Sequence, residues 1–450
     1  MFRRKVASVI TGVAVVIGLM ASAAIGLWPV WIGPMSTAEG VRIAASGPSG
    51  IAPKAPMVSS YGTQATISPV IAIPAPGLTP PMGWNGYNHF HLNVNAATVE
   101  AEARALVTSG MQAAGYTYVN LDGGWALKRR SAGGALVADP VKFPRGIRPV
   151  ADYVHALGLK FGIYASAGIQ NCAGTSAGSF GHYRQDAATF AAWGVDYLKL
   201  DWCSIPFYDY PGMTRRQVSV MLANQMRLAL SSTGRPIVFD LNDWTNDNPS
   251  SWGAGVATLW RTAPDSQDRY ASMLLNFTKT VSRFKKAGPG GWNDPDMLEI
   301  GNGGMNAIEY QSQFSLWAEM AAPLIAGNDL SRMSETTRSI LTNQAVIAID
   351  QDPLGRPGYP VASAGGHWVL VRPLANAEWA VVLFNQTSST ATISATAAQM
   401  DLPLRGRYKL LDLWSGAKQE MGGVLSASVP PHGVVFYSLE PIVRRALIPF

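Results

Sequence analysis

A lysine and an aspartate lie two residues apart in an otherwise apolar stretch, Val195-Asp196-Tyr197-Leu198-Lys199-Leu200-Asp201-Trp202-Cys203. Because side chains alternate between the two faces of a strand, Lys199 and Asp201 share one face. Parallel strands of α/β proteins are usually apolar on both faces, so this charged face indicates either a site or a structural ion pair inside a barrel. The positive charge of Lys199 is expected to favour the ionised form of Asp201, which is the form that a carboxylate nucleophile needs.

The elements around this stretch alternate between strand and helix from residue 80 onward. Strands are predicted at 82–87, 116–121, 160–164, 195–203, 236–241, 258–261 and 323–326. Helical patterns lie between them, including one at 215–231, and later ones cover 308–321 and 335–349. This alternation predicts βαβ units and a parallel sheet, and eight units over about 275 residues are typical of a (β/α)8 TIM barrel. After residues 352–355 (DPLG) the helical patterns end, and short β-rich runs follow at 367–372, 379–385, 390–395, 407–413 and 434–439. These runs predict an antiparallel β-sandwich.

The amino-terminal segment has the pattern of an export signal. Residues 2–5 begin with positive charge, residues 6–20 are apolar, and 21–23 (ASA) suit a signal peptidase. The apolar sequence continues to Ile32, long enough to span a bilayer uncut. We therefore expect an exported protein, secreted or periplasmic, with four segments: a signal peptide or membrane anchor (1–33), a linker rich in Pro, Ala, Ser and Gly (34–77), a catalytic barrel (78–357) and a β-sandwich (358–442).

The bulk composition is that of a globular enzyme. Of 450 residues 48% are hydrophobic and only 14% are charged, which excludes a disordered chain. The formal charge is +6, but no basic run is interleaved with aromatic residues, so nucleic acid is not an expected partner.

The chain has two cysteines, Cys172 and Cys203. In an exported protein a lone pair of cysteines predicts one disulfide. It would tie the loop after one strand to the end of the next, beside Asp201. A thiol nucleophile is the alternative, but no histidine lies near either cysteine in the sequence.

Polar and aromatic residues follow the predicted barrel strands, at the end where barrel enzymes carry their sites: Trp84, Asp122, Tyr164, Lys199, Asp201, Asp243, Trp244, Arg261, Asp294 and Asp296. Carboxylates, two cations and aromatic rings suit an uncharged, hydroxyl-rich ligand, and paired carboxylates carry out glycoside hydrolysis. A divalent metal would be repelled by Lys199 and Arg261, so we expect no metal ion and no other cofactor. Residues 174–178 (GTSAG) match the elbow motif of serine hydrolases, but no strand pattern precedes Ser176.

Five blocks of sequence carry a family resemblance: 78–85 (LTPPMGWN), 161–164 (FGIY), 197–201 (YLKLD), 288–298 (GPGGWNDPDML) and 351–355 (QDPLG). In order and spacing they resemble the melibiases, glycoside hydrolase family 27, from about residue 78 to 357. The resemblance implies a retaining α-galactosidase or α-N-acetylgalactosaminidase that needs no metal for catalysis, with a barrel followed by a β-sandwich.

Residue by residue, the resemblance implies Asp201 as the nucleophile and Asp265 as the acid/base, with their carboxyl groups about 5–5.5 Å apart. The positions implied to bind the sugar are Trp84, Asp122, Tyr164, Lys199, Arg261 and Asp296. Asp243 falls where many members have a glutamate, after Asn242 in place of a cysteine, and with Arg261 that position faces the sugar's 2-hydroxyl. Cys172 and Cys203 match a disulfide of the family.

One departure bears on the sugar. The family usually has two aspartates where this chain has Asp122-Gly123. In the family those two aspartates bind the sugar's hydroxyls at C4 and C6. Terminal α-D-galactose is the expected substrate, and β-L-arabinopyranoside, α-N-acetylgalactosaminide and α-glucoside are alternatives, as is a sugar-binding barrel without catalysis. His89 and His91 also depart from the commoner pattern and either replace a lost contact or have no role.

Overall fold

A computed structural model describes residues 77–243, 247–403 and 406–442. All described residues belong to one compact unit. The predictions for the signal or anchor and for nearly all of the linker lie outside the described residues. Among the residues that the structure does describe, no helix is long and apolar enough to cross a membrane.

The first sheet consists of eight parallel strands: β1 (Met82–Asn85), β2 (Tyr118–Leu121), β3 (Lys160–Ser166), β4 (Tyr197–Asp201), β5 (Val238–Asn242), β6 (Leu259–Arg261), β7 (Trp292–Asp294) and β8 (Leu324–Ala326). Each strand from β1 to β7 pairs with the next, and β1 also pairs with β8. A parallel bridge between Leu298 and Ala326 joins the chain after β7 to β8. The curled parallel sheet confirms the barrel prediction. The sequence prediction omitted β7, because three residues after a Gly-Pro-Gly-Gly run have the composition of a loop.

The helices are α1 (Tyr87–Phe90), α2 (Ala96–Thr108), α3 (Arg148–Ala156), α4 (Tyr183–Ala192), α5 (Arg215–Ser231), α6 (Tyr270–Val281), α7 (Ala307–Glu319), α8 (Glu335–Leu341) and α9 (Gln344–Asp350). The single helix predicted at 335–349 is two helices. Asn343 caps the second one, since its side chain accepts hydrogen bonds from the backbone amides of Ala345 and Val346. The long helix α5 begins at a capping box formed by Thr214 and Gln217.

The barrel interior is apolar at the amino-terminal ends of the strands and polar toward their carboxyl-terminal ends. The first residues of five strands pack together there: Tyr118, Tyr197, Val238, Leu259 and Trp292. On the other face of β4, Leu198 and Leu200 are fully buried in the main hydrophobic core. The alternation predicted for β4 is therefore correct. It places Lys199 and Asp201 on the face opposite to these leucines, in the carboxyl-terminal half of the strand.

An antiparallel β-sandwich follows the barrel, as predicted. Its strands are β9 (Tyr359–Ala362), β10 (His367–Pro373), β11 (Trp379–Asn385), β12 (Ala391–Thr396), β13 (Tyr408–Asp412), β14 (Lys418–Met421), β15 (Val424–Val429) and β16 (Val434–Pro441). Six of them form one sheet in the order β14-β13-β16-β11-β10-β9, and β12 pairs with β15. The sequence prediction omitted β9, β14 and β15; β9 and β14 have only four residues each, and β15 has the sequence VLSASV, in which small residues interrupt the apolar ones. Arg372 of β10 is buried against the barrel, where it donates to the carbonyl oxygens of Ala318 and Asp350.

Candidate active site

Lys199 of β4 forms its ion pair with Asp122, which directly follows β2, two strands away in the sheet. The Lys199 Nζ lies 2.8 Å from Asp122 Oδ2, and both side chains are largely buried. Asn85 Nδ2 donates to the same carboxylate oxygen at 2.7 Å, and the backbone amide of Gly123 donates to Oδ1 at 2.7 Å. Asp122 is thus fixed by three donors, which is the arrangement that keeps a buried carboxylate oriented.

Asp201 is the last residue of β4, and its burial raises its pKa to about 6. The charge of Lys199 lowers this pKa, Asp122 raises it, and Arg261 lowers it. The expectation that Lys199 favours the ionised form is correct for that one interaction, but the net shift has the opposite sign because desolvation is larger. A pKa of about 6 still leaves Asp201 mainly ionised at neutral pH.

Cys172 and Cys203 form a disulfide beside Asp201. Cys172 Sγ lies 3.2 Å from Asp201 Oδ2 and 3.8 Å from the hydroxyl oxygen of Tyr164. These two cysteines and Asp201 are the one group of three potential metal ligands found within the described ranges. Both sulfurs are in the disulfide, so neither is a free thiolate that could bind an ion.

Arg261 is the last residue of β6, and its buried guanidinium contacts three polar side chains. Its Nη2 lies 2.6 Å from Asp265 Oδ1 and 2.8 Å from Asp296 Oδ2, and its Nη1 donates to Asn242 Oδ1. Burial alone would lower the pKa of Arg261, but the surrounding carboxylates raise it above its ordinary value. The guanidinium therefore stays charged at any pH at which the protein is folded, and it joins the ends of β5, β6 and β7.

Asp265 has the opposite environment to Asp201. Its side chain is 82% exposed. Partial desolvation raises the pKa of Asp265, but Arg261 and Lys199 lower it more, so the net pKa is below the ordinary value. The two carboxylates that the sequence assigns to catalysis thus differ in both exposure and pKa.

Asp296 has a backbone φ of +80°, which is uncommon for a residue other than glycine. Three hydrogen bonds hold this conformation. The backbone amide of Asp296 donates to Asp294 Oδ1 at 2.7 Å, its carbonyl accepts from Trp317 Nε1 at 2.8 Å, and its Oδ2 accepts from the amide of Ser266 at 2.6 Å. Unfavourable backbone conformations kept by such contacts are frequent at functional sites.

The remaining predicted residues have simpler placements. Trp84 is fully buried, and its Nε1 donates to the carbonyl of Asn328 at 2.8 Å. Tyr164 and Asp243 are buried, and Trp244 lies outside the described residues. His89 pairs with Asn302 at 3.1 Å, and the ring of His91 packs edge-on against Tyr87.

Tyr87 is a site residue that the sequence analysis missed. It lies on α1, two residues after β1 ends, and is half-buried. Its burial raises its pKa, and the charges of Asp122, Lys199, Asp265 and Asp201 all act on that pKa. The phenol of Tyr87 is therefore within the electrostatic influence of the candidate site's charged groups. The feature of the sequence that could have identified Tyr87 is an aromatic residue two positions after a strand that ends at the rim of the barrel.

The serine-hydrolase alternative is wrong for this chain. An elbow motif needs a strand immediately before its serine, whereas β3 ends at Ser166 and residues 167–178 form turns and loops. The amides of Thr175 and Ser176 both donate to Asn171 Oδ1, which closes a compact turn. Ser176 is a buried turn residue.

The barrel and its rim of carboxylates and buried cations define a carbohydrate-active site on a TIM-barrel hydrolase. The model of the family described as alpha galactosidase A matches residues 79–352, and the one described as alpha galactosidase C-terminal beta sandwich domain matches 364–439. The chain belongs to glycoside hydrolase family 27, the α-galactosidase family of glycosidases.

Individual relatives cover most of the chain. It is 42% identical over 370 residues to an alpha-galactosidase of Cyamopsis tetragonoloba, covering 81% of this chain and 87% of that protein. The crystal structure of alpha-galactosidase I from Mortierella vinacea matches with a TM-score of 0.77 and 34% identity, covering 81% of this chain and 97% of the other. An alpha-galactosidase from Saccharomyces cerevisiae with raffinose matches with a TM-score of 0.76 and 29% identity, over 81% and 98% of the two chains.

Proposed function

We propose that this protein is a retaining α-galactosidase that releases terminal α-D-galactose from oligosaccharides and other galactosides. The observation that carries the proposal is the pair of carboxylates, Asp201 at the end of β4 and Asp265 after β6, both under the influence of the charges of Lys199 and Arg261. Curated relatives over 40% identical across most of the chain are alpha-galactosidases, which supports galactose as the sugar.

The proposed reaction is a double displacement. The ionised Asp201 attacks the anomeric carbon, while Asp265 gives a proton to the leaving oxygen, and a covalent glycosyl-enzyme forms. Asp265 then takes a proton from water, the water oxygen attacks the anomeric carbon, and the bond to Asp201 breaks. The anomeric carbon is thus attacked twice, from opposite faces, and the two inversions retain its configuration.

The acid step requires a protonated Asp265, whereas its ion pair with Arg261 favours the ionised form. We infer that the sugar's 2-hydroxyl replaces Asp265 as a partner of Arg261. Desolvation then remains as the main influence on Asp265 and raises its pKa. A 2-deoxygalactoside should therefore lose kcat as well as affinity, by about tenfold or more. If the 2-deoxy substrate changes only KM, Arg261 does not control the protonation of Asp265.

The sugar-binding residues are proposed to be Trp84, Asp122, Tyr164, Lys199, Asp243, Arg261 and Asp296, with Tyr87 added by the structure. Their buried charges can form charge-assisted hydrogen bonds to hydroxyls, about twice as strong as neutral ones. Trp84 is fully buried, so its contribution is to support the floor of the site. No metal or other cofactor enters the proposed reaction.

A second sugar is supported by one observation, Gly123 beside Asp122. Without a carboxylate at residue 123, one hydrogen bond to the sugar's hydroxyl at C4 or C6 is missing. β-L-Arabinopyranosides have the same ring hydroxyls without C6, and α-glucosides need no axial C4 contact. α-N-Acetylgalactosaminides are the third alternative.

The decisive experiment is a panel of p-nitrophenyl glycosides: α-galactoside, α-N-acetylgalactosaminide, β-L-arabinopyranoside and α-glucoside. We expect the highest kcat/KM for the α-galactoside and an α-configured product in the first proton NMR spectra. If the α-galactoside is the poorest of the four, the assignment of the sugar is wrong while the mechanism stands. A β-configured first product would refute retention. No turnover of any member would favour a sugar-binding barrel without catalysis.

We also propose that residues 1–33 export the enzyme, that 34–77 form a linker, and that the barrel (78–357) and sandwich (358–442) are separate domains. The basic, apolar and small-residue pattern of residues 2–23 supports export with cleavage after Ala23, and the two family matches, 79–352 and 364–439, support the division. Amino-terminal sequencing of the exported enzyme tests cleavage. A chain that starts at Met1 in the membrane fraction would show that the segment is an anchor instead.

A further inference from the structure

A small polar cavity lies inside the barrel, beneath the proposed sugar site. Its volume is about 20 Å³, and its lining includes Asn120 of β2, Lys199 of β4, Asp240 and Asn242 of β5, and Asp294 of β7. A cavity needs at least about 10–15 Å³ to hold one water molecule, so this one is large enough for a water.

Three buried polar atoms around this cavity lack a hydrogen-bond partner among the described residues: Asn120 Oδ1, Asp240 Oδ1 and Asn242 Nδ2. Asn120 Oδ1 is an acceptor and Asn242 Nδ2 is a donor. Burial and the charge of Asp294 raise the pKa of Asp240 to about 8, so its Oδ1 can either accept a hydrogen bond or, when protonated, donate one. Buried polar groups in proteins are almost always paired, with protein groups or with ordered water. Because water both donates and accepts, one water molecule can bond to all three atoms in either protonation state of Asp240, which gives it the three bonds typical of buried water.

The surrounding residues preserve this arrangement. Tyr197 donates to the other carboxylate oxygen of Asp240 at 2.8 Å, so Asp240 is fixed with Oδ1 free for the cavity. Gly162 lies beside Asn120, and a Cβ there would come within 1.9 Å of Asn120 Oδ1. Only glycine at residue 162 leaves the Asn120 amide in its present place.

We propose that this cavity is a binding site for one structural water molecule, which orients the Asn242 amide toward Arg261. The amide of Asn242 has two ends. Its oxygen accepts from Arg261 Nη1, and its nitrogen faces the cavity. The water accepts from that nitrogen and so keeps the oxygen directed at Arg261, which in turn contacts Asp265 and Asp296. Asn120, Asp240 and Asn242 are therefore positioning residues.

A crystal structure of the full enzyme at about 1.5 Å resolution tests the water site itself. We expect one ordered water within about 2.7–3.2 Å of Asn120 Oδ1, Asp240 Oδ1 and Asn242 Nδ2. Direct contact between Asp240 and Asn120 without a water would overturn the site. An Asn242 amide rotated with its nitrogen toward Arg261 would overturn its proposed orientation.

The variant Asn120→Leu tests the link to Arg261. It removes one acceptor for the water but none of the hydrogen bonds found for the described side chains. We expect kcat/KM to fall about tenfold, mainly in kcat, because small displacements of positioning groups are costly. Asn120→Ser, which leaves room for a second water, should restore most of the rate. Unchanged kinetics in Asn120→Leu would refute the link, as would equal losses in both variants.

A matched control is Asn293→Leu. Asn293 is also a buried asparagine on a barrel strand, but its side chain bonds Trp260 Nε1 and the carbonyl of Arg283, away from the cavity. This variant should lower Tm and leave kcat/KM unchanged. The kinetic experiment rests on the proposed function, whereas the crystal structure does not. An enzyme that hydrolyses no glycoside but holds the water would contradict the function and support the site.

Discussion

Replacing Gly123 by aspartate tests whether the site lacks a carboxylate contact to the sugar's C4 or C6 hydroxyl, and to which of the two. An added Cβ would lie 3.8 Å from Leu92 Cδ2 and 3.8 Å from Tyr164 Cε1, which is ordinary van der Waals contact. The backbone of Gly123 does not have the positive φ that favours glycine, unlike Gly124 at +99°. We therefore expect Gly123→Asp to fold as the wild type does and to place a carboxylate beside Asp122.

The expected gain follows from one new charge-assisted hydrogen bond to a sugar hydroxyl. Such a bond contributes about 1.5–3 kcal/mol, and each 1.4 kcal/mol is tenfold, so kcat/KM for a galactoside should rise roughly 10- to 100-fold relative to a sugar that lacks the hydroxyl. The new charge also raises the pKa of Asp201 above its present value of about 6. The comparison must therefore be made above the acid limb of the pH profile.

The assay is the ratio of kcat/KM for p-nitrophenyl α-galactoside to that for two reference sugars. The ratio to the β-L-arabinopyranoside reports a contact at C6, and the ratio to the α-glucoside reports a contact at C4. Because both are ratios, effects of the variant on the chemical step largely cancel. Two controls separate the causes: Gly123→Asn adds the same shape without charge, and Gly123→Ala fills space without a polar group.

We expect the preference for galactose to increase in the order alanine, asparagine, aspartate. If Gly123→Ala gives the same increase as Gly123→Asp, the effect is packing against Leu92 and Tyr164, and the argument from a missing carboxylate fails. If Gly123→Asp lowers both ratios, the residue at this position does not face C4 or C6 at all.

Three further results are expected. Asp201→Asn should lower kcat/KM at least about 10³-fold and still bind galactose in calorimetry; retention of most activity would refute the nucleophile. The kcat/KM of the wild type should rise about tenfold per pH unit up to about pH 6 and then level, because Asp201 must be ionised and has a pKa of about 6; a limb near pH 4 would contradict that shift. Burial raises the pKa of Glu319 to about 8 although Arg372 lowers it, so the folded state holds a proton that the unfolded state releases near its ordinary pKa. Stability should therefore fall as the pH rises toward 8, and Glu319→Gln should lack about 2–3 kcal/mol of that fall between pH 6 and 8; a variant with the wild-type dependence of stability on pH would contradict the raised pKa.

The elements could be predicted where a periodic pattern was long enough to be distinctive. Helix α5 and strand β11 were predicted with the bounds that the structure has, because each has a full apolar face and clear ends. Strand β7 was missed because three residues are too few for any period. The helix predicted at 335–349 has a continuous helical pattern, and only the hydrogen bonds of the Asn343 side chain show where it divides.

The sequence could predict that several of the candidate residues meet at one rim, but not how they pair. Residues at strand ends of a barrel meet at one rim whatever their sequence separation, and this placed Asp122, Lys199 and Arg261 together. The sequence paired Lys199 with Asp201, its neighbour on the same strand. In the structure Lys199 bonds Asp122, at the end of a strand two places away in the sheet, because the pairing depends on how far each side chain reaches, and no sequence pattern reports that.

The two carboxylates show what the sequence could not supply. Asp201 and Asp265 are the same residue type, and Lys199 and Arg261 lower the pKa of both. Desolvation also raises both, yet the net shift is upward for Asp201 and downward for Asp265. The difference is one of degree: Asp201 is half-buried at the end of β4, whereas the side chain of Asp265 is largely exposed and within 2.6 Å of a guanidinium nitrogen. A sequence gives the charges and their order along the chain, but the balance between desolvation and attraction is set by burial. The pKa values of two identical side chains therefore shift in opposite directions because their burial and their neighbours differ.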